Sequence, residues 1–282
     1  MTAIFGIVLL ACVADDLDTK FVQVHPKFDD PATFERSEGQ TRAVVLIHGL
    51  APHPFSTEKA KAALLHEWQK PDATLVRTLG ADSDVFSFAY GQSVPVTEIA
   101  ATDGFTDAIK QLRSAGYSEI ALIGHSAGGL IARQFVEDNP NSAVNKVILI
   151  CSPNDGASLA AQERLVRKAQ EAFVKSLSKA ARAEFMKGRT DKKIGPHVQF
   201  VCVVGDCGGV GDFVVSDSSQ WSEDLQAQGI PAVHLNTTHP TAVRSARVAE
   251  VLAQLVREKQ PRWENDKIAS MRKTILGKKP PE

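Results

Sequence analysis

The chain has 282 residues, of which 43% are hydrophobic and 23% charged, and its formal net charge is −1. These values are ordinary for a globular protein, and a charge so close to zero gives no general attraction to nucleic acid, so we expect no nucleic-acid partner. No apolar run reaches the roughly 18 residues that a membrane-spanning helix needs. The four cysteines do not make a disulfide scaffold at this length, and we favour free thiols over a Cys202–Cys207 disulfide.

The N-terminal segment MTAIFGIVLLACVADD is short and apolar and ends in small residues. Its length favours a secretory signal over residues 1–14, and LLAC resembles a bacterial lipoprotein box with Cys12 as the lipidated residue. No Lys or Arg precedes the apolar run, so a buried first strand or a misplaced start codon stays open. We expect export or a lipid anchor, with a cytoplasmic location as the alternative.

Short apolar runs that are rich in Val, Ile and Phe predict buried strands at 21–24, 43–47, 84–90, 119–123, 146–150, 198–204 and 231–235. Helix-like stretches separate most of them, at 57–69, 97–114, 128–138, 159–187, 218–228 and 240–258. This alternation is typical of an α/β protein with a largely parallel central sheet and helices on both faces. Residues 261–282 predict a C-terminal surface helix with a frayed tail. Ligands of such sheets bind beyond the carboxyl ends of the strands, where chemistry is therefore expected.

The fourth predicted strand runs into Gly124-His125-Ser126-Ala127-Gly128, which matches G-x-S-x-G. In this pattern a serine lies on a sharp turn between a strand and a helix, which lifts its hydroxyl clear of the sheet. Glycine is expected at 124 and 128 because a β-carbon there would collide with the turn. The following helix directs its unpaired N–H groups toward the serine. Ser126 is therefore the candidate nucleophile, and a glycine-rich turn with an incidental serine is the alternative.

A serine hydroxyl needs a base to take its proton and an acid to orient that base, and in this pattern both follow the serine, acid first. The stretch GDCGGVGDFVVSDSSQW after the sixth strand offers Asp206, Asp212 and Asp217, and Asp155 follows the fifth strand. Asp212 is the candidate acid because the apolar run after it would anchor the loop and aim the carboxylate inward. Asp217 is predicted as a helix N-cap, whereas Asp206 and Asp155 stay open as alternatives. The glycines lack the spacing of a dinucleotide-binding loop.

His239 lies in the loop between the last strand and an amphipathic helix, where the base of such a site belongs. Pro240 fits the first position of that helix. His234 lies inside the strand and is interpreted as a structural histidine. No H-E-x-x-H pair or Cys/His cluster indicates zinc, so we expect neither a metal nor an organic cofactor.

These motifs resemble those of the α/β-hydrolase superfamily, and within it those of small lipases, esterases and the deacylases that act on glycosylated membrane lipids. The resemblance covers about residues 40–258 and is carried by VVLIHGL, GHSAGG, SPNDGAS, GDFVVS and the His239 loop. It implies an α/β-hydrolase fold over 18–260 and an oxyanion hole formed by the backbone N–H groups of Leu50 and Ala127. It also implies that a small-molecule or lipid ester is cleaved through an acyl-enzyme.

SPNDGAS resembles the turn that leads into the cap of lipase-like members, so residues 157–196 are the candidate cap. Within it, 159–187 predicts an amphipathic helix with Phe173 and Leu177 on its apolar face and a basic complement that includes Arg182. We interpret this basic face as the solvated side of a helix that packs on the body, and the alternative is a lid that contacts anionic lipid or an acidic substrate. A non-catalytic binding module with the same fold and an acyltransferase stay open as alternative functions.

Overall fold

The structure, a computed structural model, describes residues 17–30, 33–158, 166, 168–209 and 211–277. The predicted signal segment 1–14, with Cys12, lies outside the described residues. Within them, none of the helices combines the length and the apolar character that crossing a bilayer requires. The thiols of Cys151, Cys202 and Cys207 are all free, as the sequence favoured, and Cys207 is only half-buried.

One seven-stranded sheet forms the centre of the described part of the chain, in the order β1-β3-β2-β4-β5-β6-β7. Its first strand is antiparallel to β3, and all other neighbouring strands are parallel. The seven predicted strands are confirmed, and so is the α/β fold class. The strands are β1 (Thr19–His25), β2 (Arg42–Ile47), β3 (Asp84–Tyr90), β4 (Glu119–His125), β5 (Val144–Ile150), β6 (Gln199–Asp206) and β7 (Ala232–Asn236).

Helices flank the sheet, and many are only one or two turns long. In the described residues they are α1 (Thr57–Lys61), α2 (Thr74–Gly80), α3 (Val96–Ala100), α4 (Asp103–Ser114), α5 (Ala127–Asp138), α6 (Glu171–Ser176), α7 (Lys179–Lys187), α8 (Asp217–Gln220), α9 (Glu223–Ala227), α10 (Ala246–Arg257) and α11 (Asn265–Leu276). Short 3-10 turns lie at Glu67–Gln69, Lys168–Gln170 and Thr241–Val243.

The two faces of the sheet carry separate apolar cores, because successive side chains of a strand point to opposite faces. In β2, Val45 and Ile47 join the core under α3, α4 and α5, whereas Val44 and Leu46 join the core under α2 and α10. Each of these four side chains is fully buried. Burial of one such side chain stabilises the fold by about 1.5–3 kcal/mol, so the two cores fix the sheet from both sides.

Tertiary hydrogen bonds divide the predicted helix 57–69. Helix α1 ends at Lys61, and Ala62 is already extended. The Gln92 N–H donates to the Ala60 carbonyl at 2.7 Å, and the Ala63 N–H donates to Asp18 Oδ2 at 2.7 Å. These bonds to distant residues take up the donors and acceptors that a continuous helix would use.

Other predicted helices also differ from the structure at their ends. The stretch 97–114 is two helices, because the Thr102 side chain accepts the Phe105 N–H and so begins α4. Pro240 precedes a 3-10 turn, and the α-helix begins only at Ala246. Ser216, not Asp217, is the N-cap of α8, so that prediction was wrong.

The candidate cap is not one amphipathic helix in its described residues. Helix α6 ends before Leu177, and a new helix, α7, begins after Ser178, whose side chain caps it. Phe173 and Leu177 are buried, as predicted. Arg182 is also buried and donates to the Asn154 carbonyl at 3.3 Å, so its place on a solvated basic face was wrong.

All parallel strands point their carboxyl ends toward one edge of the sheet. The segments that leave β2, β4, β5, β6 and β7 at this edge carry Leu50, Ser126, Cys151, Asp212 and His239. The fold therefore places the candidate residues from distant parts of the chain at one rim.

Candidate active site

Ser126 occupies the strained turn between β4 and α5. Its backbone has φ 56° and ψ −125°, a left-handed conformation that non-glycine residues seldom adopt. Such strain persists only where the surrounding structure fixes it, and here the Ser126 N–H donates to the Ile150 carbonyl at 2.8 Å. The side chain is 6% exposed and lines a cavity at the rim of the sheet.

The two shoulder glycines are required by close approaches of the backbone. A β-carbon at Gly124 would lie 2.5 Å from the Gly128 carbonyl oxygen, and one at Gly128 would lie 2.2 Å from the Ile47 carbonyl oxygen. Neither neighbour is a flexible side chain that could move away. Glycine at 124 therefore lets β4 lie close to the start of α5, and glycine at 128 lets α5 lie close to the end of β2.

Asp212 and His239 form a hydrogen-bonded pair across two loops. His239 Nδ1 lies 2.6 Å from Asp212 Oδ2, and the His239 N–H donates to the Asp212 carbonyl at 3.0 Å. The other carboxylate oxygen, Oδ1, accepts the N–H groups of Val214 at 2.9 Å and Val215 at 2.7 Å. The Asp212 side chain is fully buried, and that of His239 is 13% exposed. The carboxylate is thus fixed by its own loop and in turn orients the imidazole.

The electrostatics of this pair favour an ionised aspartate. Burial alone would raise the pKa of Asp212, but the hydrogen bond and charge of His239, together with the N–H groups of Val215 and Val214, outweigh it. The pKa of Asp212 is therefore held below its ordinary value. An ionised carboxylate on Nδ1 leaves the other ring nitrogen, Nε2, to act as a base.

The rival acids lie elsewhere. Asp206 Oδ2 is 3.2 Å from His234 Nε2, and its Oδ1 accepts the Gly209 N–H at 2.7 Å. His234 therefore has a structural partner. Asp155 is exposed, and its backbone N–H donates to Ser219 Oγ at 3.1 Å. Of the acids considered from the sequence, the structure brings only Asp212 to His239.

Ser126 and His239 face the same cavity, which has a volume of about 230 Å³. No hydrogen bond between their side chains is present in the described part of the structure. Bonds of this kind are often long in an empty site and shorten when substrate binds. The remaining lining is mainly apolar and consists of Leu50, Pro52, His66, Trp68, His125, Pro153, Ala157, Leu177, Val214, Val215, Pro240, Val243 and Arg244.

The loop after β2 lies directly over the serine. A β-carbon on Gly49 would be 2.6 Å from Ser126 Cβ and 3.1 Å from Ser126 Oγ. Leu50, the next residue, lines the cavity beside the serine. Ala127 is the first residue of α5, so its N–H has no partner inside the helix. The two predicted oxyanion donors therefore belong to segments that adjoin Ser126.

The sequence matches one known protein family. Residues 12–202, well over half of its length, match the family described as a domain of unknown function, DUF7379. The chain belongs to the DUF7379 family. The match contains Leu50 and Ser126 but ends within β6, before Asp212 and His239. No curated protein matches the sequence.

Several solved lipases are similar in structure to this DUF7379 member. The mature form of lipase BlEst2 from Bacillus licheniformis is 14% identical, with a TM-score of 0.60 over 84% of this chain and 97% of that chain. Lipase B from Aspergillus fumigatus is 16% identical, with a TM-score of 0.57 over 89% and 60%. Phospholipase PlaB from Legionella pneumophila is 14% identical, with a TM-score of 0.56 over 85% and 64%. At such identities the likeness shows the fold alone, and the predicted α/β-hydrolase fold of the lipase and esterase type is confirmed.

Two buried glutamines of the DUF7379 member hold the loop that carries Leu50. Gln92 Nε2 donates to the Gly49 carbonyl at 2.8 Å, and Gln92 Oε1 accepts the Ala51 N–H at 3.1 Å. Gln170, from the candidate cap, donates to the Ala51 carbonyl at 2.8 Å and accepts the His53 N–H at 2.8 Å. The two amides also bond to each other at 3.0 Å. Sequence reasoning missed both, because nothing near a lone glutamine indicates a partner so far along the chain.

His48 supports the same loop as a neutral ring. Its Nδ1–H donates to the Gly49 carbonyl at 2.8 Å, and its Nε2 accepts the Tyr90 N–H at 3.4 Å. The ring stacks between His66 and Tyr90, each with a centroid 4.2 Å away. Burial lowers the pKa of His48 to about 4, which agrees with a ring that uses one nitrogen as donor and the other as acceptor.

His125, the variable residue of the serine turn, fixes the histidine loop. Its Nε2–H donates to the His239 carbonyl at 3.0 Å, and the two rings are 4.7 Å apart. Burial, with a smaller contribution from His239, lowers the pKa of His125 to about 3. The backbone of His239 is thus held on one side by Asp212 and on the other by His125.

Cys151 contacts the buried side of Asp212. Its Sγ, the Asp212 carboxylate and the His239 ring nitrogen all lie within 4.8 Å of one another. Burial and the neighbouring Asp212 charge raise the pKa of the Cys151 thiol, which keeps it protonated. These three are the residues of the described structure whose donor atoms cluster closely enough for a metal ion. The Asp212–His239 hydrogen bond already uses one potential metal-binding atom of each of these two residues. That the protein needs no metal stays a prediction.

Proposed function

We propose that this protein is a serine hydrolase that cleaves carboxylic esters. Ser126 is the nucleophile, His239 is the base, and Asp212 orients and stabilises His239. The observation that carries the proposal is the hydrogen bond, 2.6 Å long, between the buried Asp212 carboxylate and His239, beside a cavity that the strained Ser126 also lines. The fold that the protein shares with lipases adds support, since two of the similar structures are named as lipases and one as a phospholipase.

The reaction follows from the roles of these groups. His239 takes the proton of Ser126 as Oγ attacks the ester carbonyl, and the imidazolium then gives that proton to the leaving alcohol. The backbone N–H groups of Leu50 and Ala127 stabilise the negative oxygen of the tetrahedral intermediate, at about 3 kcal/mol for each donor. Water, activated by His239, then releases the acid from the acyl-enzyme. The reacting groups are all supplied by the protein and water.

The acyl part of the substrate belongs in the apolar part of the cavity. Pro153, Ala157 and Leu177 line it from the cap side, and Val214 and Val215 line it from the Asp212 loop. Water has few polar partners at such a surface, so an acyl chain gains free energy by displacing it. A small-molecule or lipid ester fits this description.

The candidate cap, residues 157–196, lines part of the cavity at Ser126 in addition to lying over it. Leu177 lines the cavity, and Gln170 holds the Leu50 loop. Because α6 packs on the body through Phe173 and Leu177, and α7 through the buried Arg182, we propose a fixed cap on a hydrolase domain that spans 18–260. Membrane contact through the exposed lysines of 168–187 is a further proposal. Cosedimentation with anionic vesicles tests it, and loss of binding in charge-reversed variants is the expected result.

A series of p-nitrophenyl esters from acetate to palmitate tests the proposed function. We expect hydrolysis by the wild type and loss of nearly all of it in Ser126→Ala. Activity that survives in Ser126→Ala would contradict the proposal, and so would a folded wild type that hydrolyses none of the esters. Product analysis with added alcohols separates the remaining alternative, because an acyltransferase would form the new ester in preference to the free acid.

A further inference from the structure

A second cavity opens from the first. It has a volume of about 370 Å³ and shares four lining residues with the apolar cavity, namely Leu50, Pro52, His66 and Arg244. Its other walls are more polar and include His53, Lys59, Tyr90 and Gln92. The two cavities therefore form one cleft, with an apolar chamber at the serine and a polar chamber beyond Leu50.

Two cations of this cleft have no counter-ion in the described part of the chain. Arg244 lines both chambers and Lys59 lines the polar one, and both side chains are exposed. Neither forms an ion pair or a side-chain hydrogen bond with a described residue. The titratable groups that face them are His66, near Arg244, and His53, near Lys59, and a protonated histidine would carry the same positive charge. Glu67 is the acidic residue of the polar wall, and Lys70 already pairs with it at 2.5 Å. The chamber therefore presents net positive charge.

A buried polar atom at the junction of the two chambers also lacks a partner. His66 lines both, and its Nε2 has no hydrogen-bond partner among the described residues. Burial, followed by neighbouring histidines, lowers the pKa of His66 to about 2, so the ring is neutral. Buried polar atoms are seldom left unpaired, and a ligand in the cleft would supply the partner.

The position of Arg244 indicates which part of a substrate it meets. It follows His239 by one short turn, Thr241–Val243, and its backbone N–H closes that turn by donating to Thr241. In ester cleavage the base gives its proton to the leaving alcohol, so the alcohol lies beside His239. A group attached to that alcohol would reach Arg244 and the polar chamber.

We propose that the substrate is an ester whose leaving alcohol carries an anionic group, a phosphate or a carboxylate, bound by Arg244 with Lys59 and His66 in the polar chamber. This inference rests on the proposed ester hydrolysis. An arginine binds either anion through two parallel hydrogen bonds, which is a stronger arrangement than one bond to a neutral group. The overall reaction is ester plus water giving a carboxylic acid and the anionic alcohol.

The test compares two soluble esters with the same acyl group, 4-(butyryloxy)benzoate and the neutral 4-(butyryloxy)benzamide. We expect a higher kcat/KM for the benzoate than for the benzamide, and Arg244→Gln should reduce this ratio of kcat/KM values by about tenfold. Lys59→Gln should lower the preference by about threefold, as befits a more flexible contact. The exposed Arg77→Gln on α2, which lines neither chamber, is the matched control. Measurable but equal rates for both esters in the wild type, or an unchanged preference in Arg244→Gln, would overturn the proposal.

A binding measurement separates this proposal from the hydrolase proposal. Phenyl phosphate should bind Ser126→Ala by calorimetry, and about tenfold more weakly when Arg244→Gln is added. If neither ester is hydrolysed but this loss is seen, the hydrolase proposal fails and the anion site stands. If the esters are hydrolysed and phenyl phosphate binds both variants equally, the anion site fails alone.

Two natural esters that carry a phosphate on the alcohol distinguish a soluble substrate from a lipid substrate. Butyryl glycerol 3-phosphate is soluble, whereas phosphatidylglycerol presents its phosphate in a vesicle. An Arg244-dependent rate on the first supports a soluble ester, and one on the second supports a lipid headgroup. A rate on both that is independent of Arg244 contradicts the proposal.

Discussion

Strand β4, which leads to Ser126, has β2 on one side in the sheet. Strands β6 and β7 lie on its other side, so two sets of loops flank Ser126 from opposite sides. On the β6 side, Asp212 is held by the N–H groups of its own loop, from Val214 and Val215. On the β2 side, the loop with Leu50 is held by the side chains of Gln92 and Gln170, which lie 41 and 119 residues away from the loop atoms that they bind. Asp212, the proposed acid, is positioned by its own loop, whereas the loop with Leu50 is positioned by residues from distant parts of the chain.

The largest effect on kcat is expected from Asp212, which is held by its own loop. Asp212→Asn keeps the shape of the side chain but removes the charge that orients His239, so we expect kcat to fall by about 10⁴. Asp206→Asn is the matched control, since Asp206 is the last residue of β6, the strand that precedes Asp212, and contacts His234 instead. Steady-state kinetics on one ester checks both variants. An equal loss in Asp206→Asn would mean that the acid has been wrongly assigned.

On the β2 side, the closest approach to the serine is tested by Gly49→Ala. The added carbon would lie 2.6 Å from Ser126 Cβ, so the loop must shift and carry the Leu50 N–H with it. We expect kcat to fall by about 10²–10³, as when one oxyanion donor is removed. Gly188→Ala is the control, because a β-carbon there meets nothing closer than 3.9 Å. Circular dichroism of both variants verifies folding, and full activity in Gly49→Ala would contradict this view of the loop.

A smaller effect is expected from the distant support of that loop. Gln170→Leu removes the hydrogen bonds to the half-buried Ala51 carbonyl and His53 N–H, at a cost in stability of about 0.5–1.5 kcal/mol for each bond. We expect thermal unfolding at a lower temperature and kcat lowered by about tenfold, since the loop becomes mobile. Gln254→Leu, at an exposed helix position, is the control. If stability falls but kcat does not, the glutamine supports the fold without positioning the oxyanion donor.

The smallest expected effect is the pH dependence of stability. Burial lowers the pKa of His125 from 6.5 to about 3, so between these values the unfolded chain binds the proton and the folded protein does not. Stability is therefore lost as the pH falls below 6.5, by about 2 kcal/mol for one such histidine at about pH 5. His125→Gln should remove this share of the acid loss in denaturant titrations at about pH 7 and pH 5. Exposed His197→Gln is the matched control, and an unchanged acid loss in His125→Gln would contradict the assignment.

The same contrast explains what the sequence could predict. The strands were found because runs such as 43–47 are apolar on both faces, and Ser126 was found because its turn has a short local pattern. The loop order also singled out Asp212 and His239, which the structure brings together. Helix α2 was missed, and the predicted helix 57–69 is interrupted by bonds to Asp18 and Gln92.

The supporting contacts of the site could not be predicted, since they join residues far apart in the chain. His125 ends β4 and Cys151 follows β5, and both strands are recognisable in the sequence, but the contacts of these residues with His239 and Asp212 depend on how β4, β5 and β6 lie side by side. The Gln92–Gln170 bond depends on where the cap folds back. The sequence thus predicts the candidate reacting groups better than it predicts the contacts that hold them.

The central claim is that His239 activates Ser126 for attack, and labelling with a fluorophosphonate tests it most directly. Mass mapping of the wild type should show one adduct, on the peptide that contains Ser126, and Ser126→Ala should show none. The second-order labelling rate should fall by about 10³ or more in His239→Gln, because the serine then has no base. An adduct at another residue, or a labelling rate in folded His239→Gln equal to that of the wild type, would contradict the account.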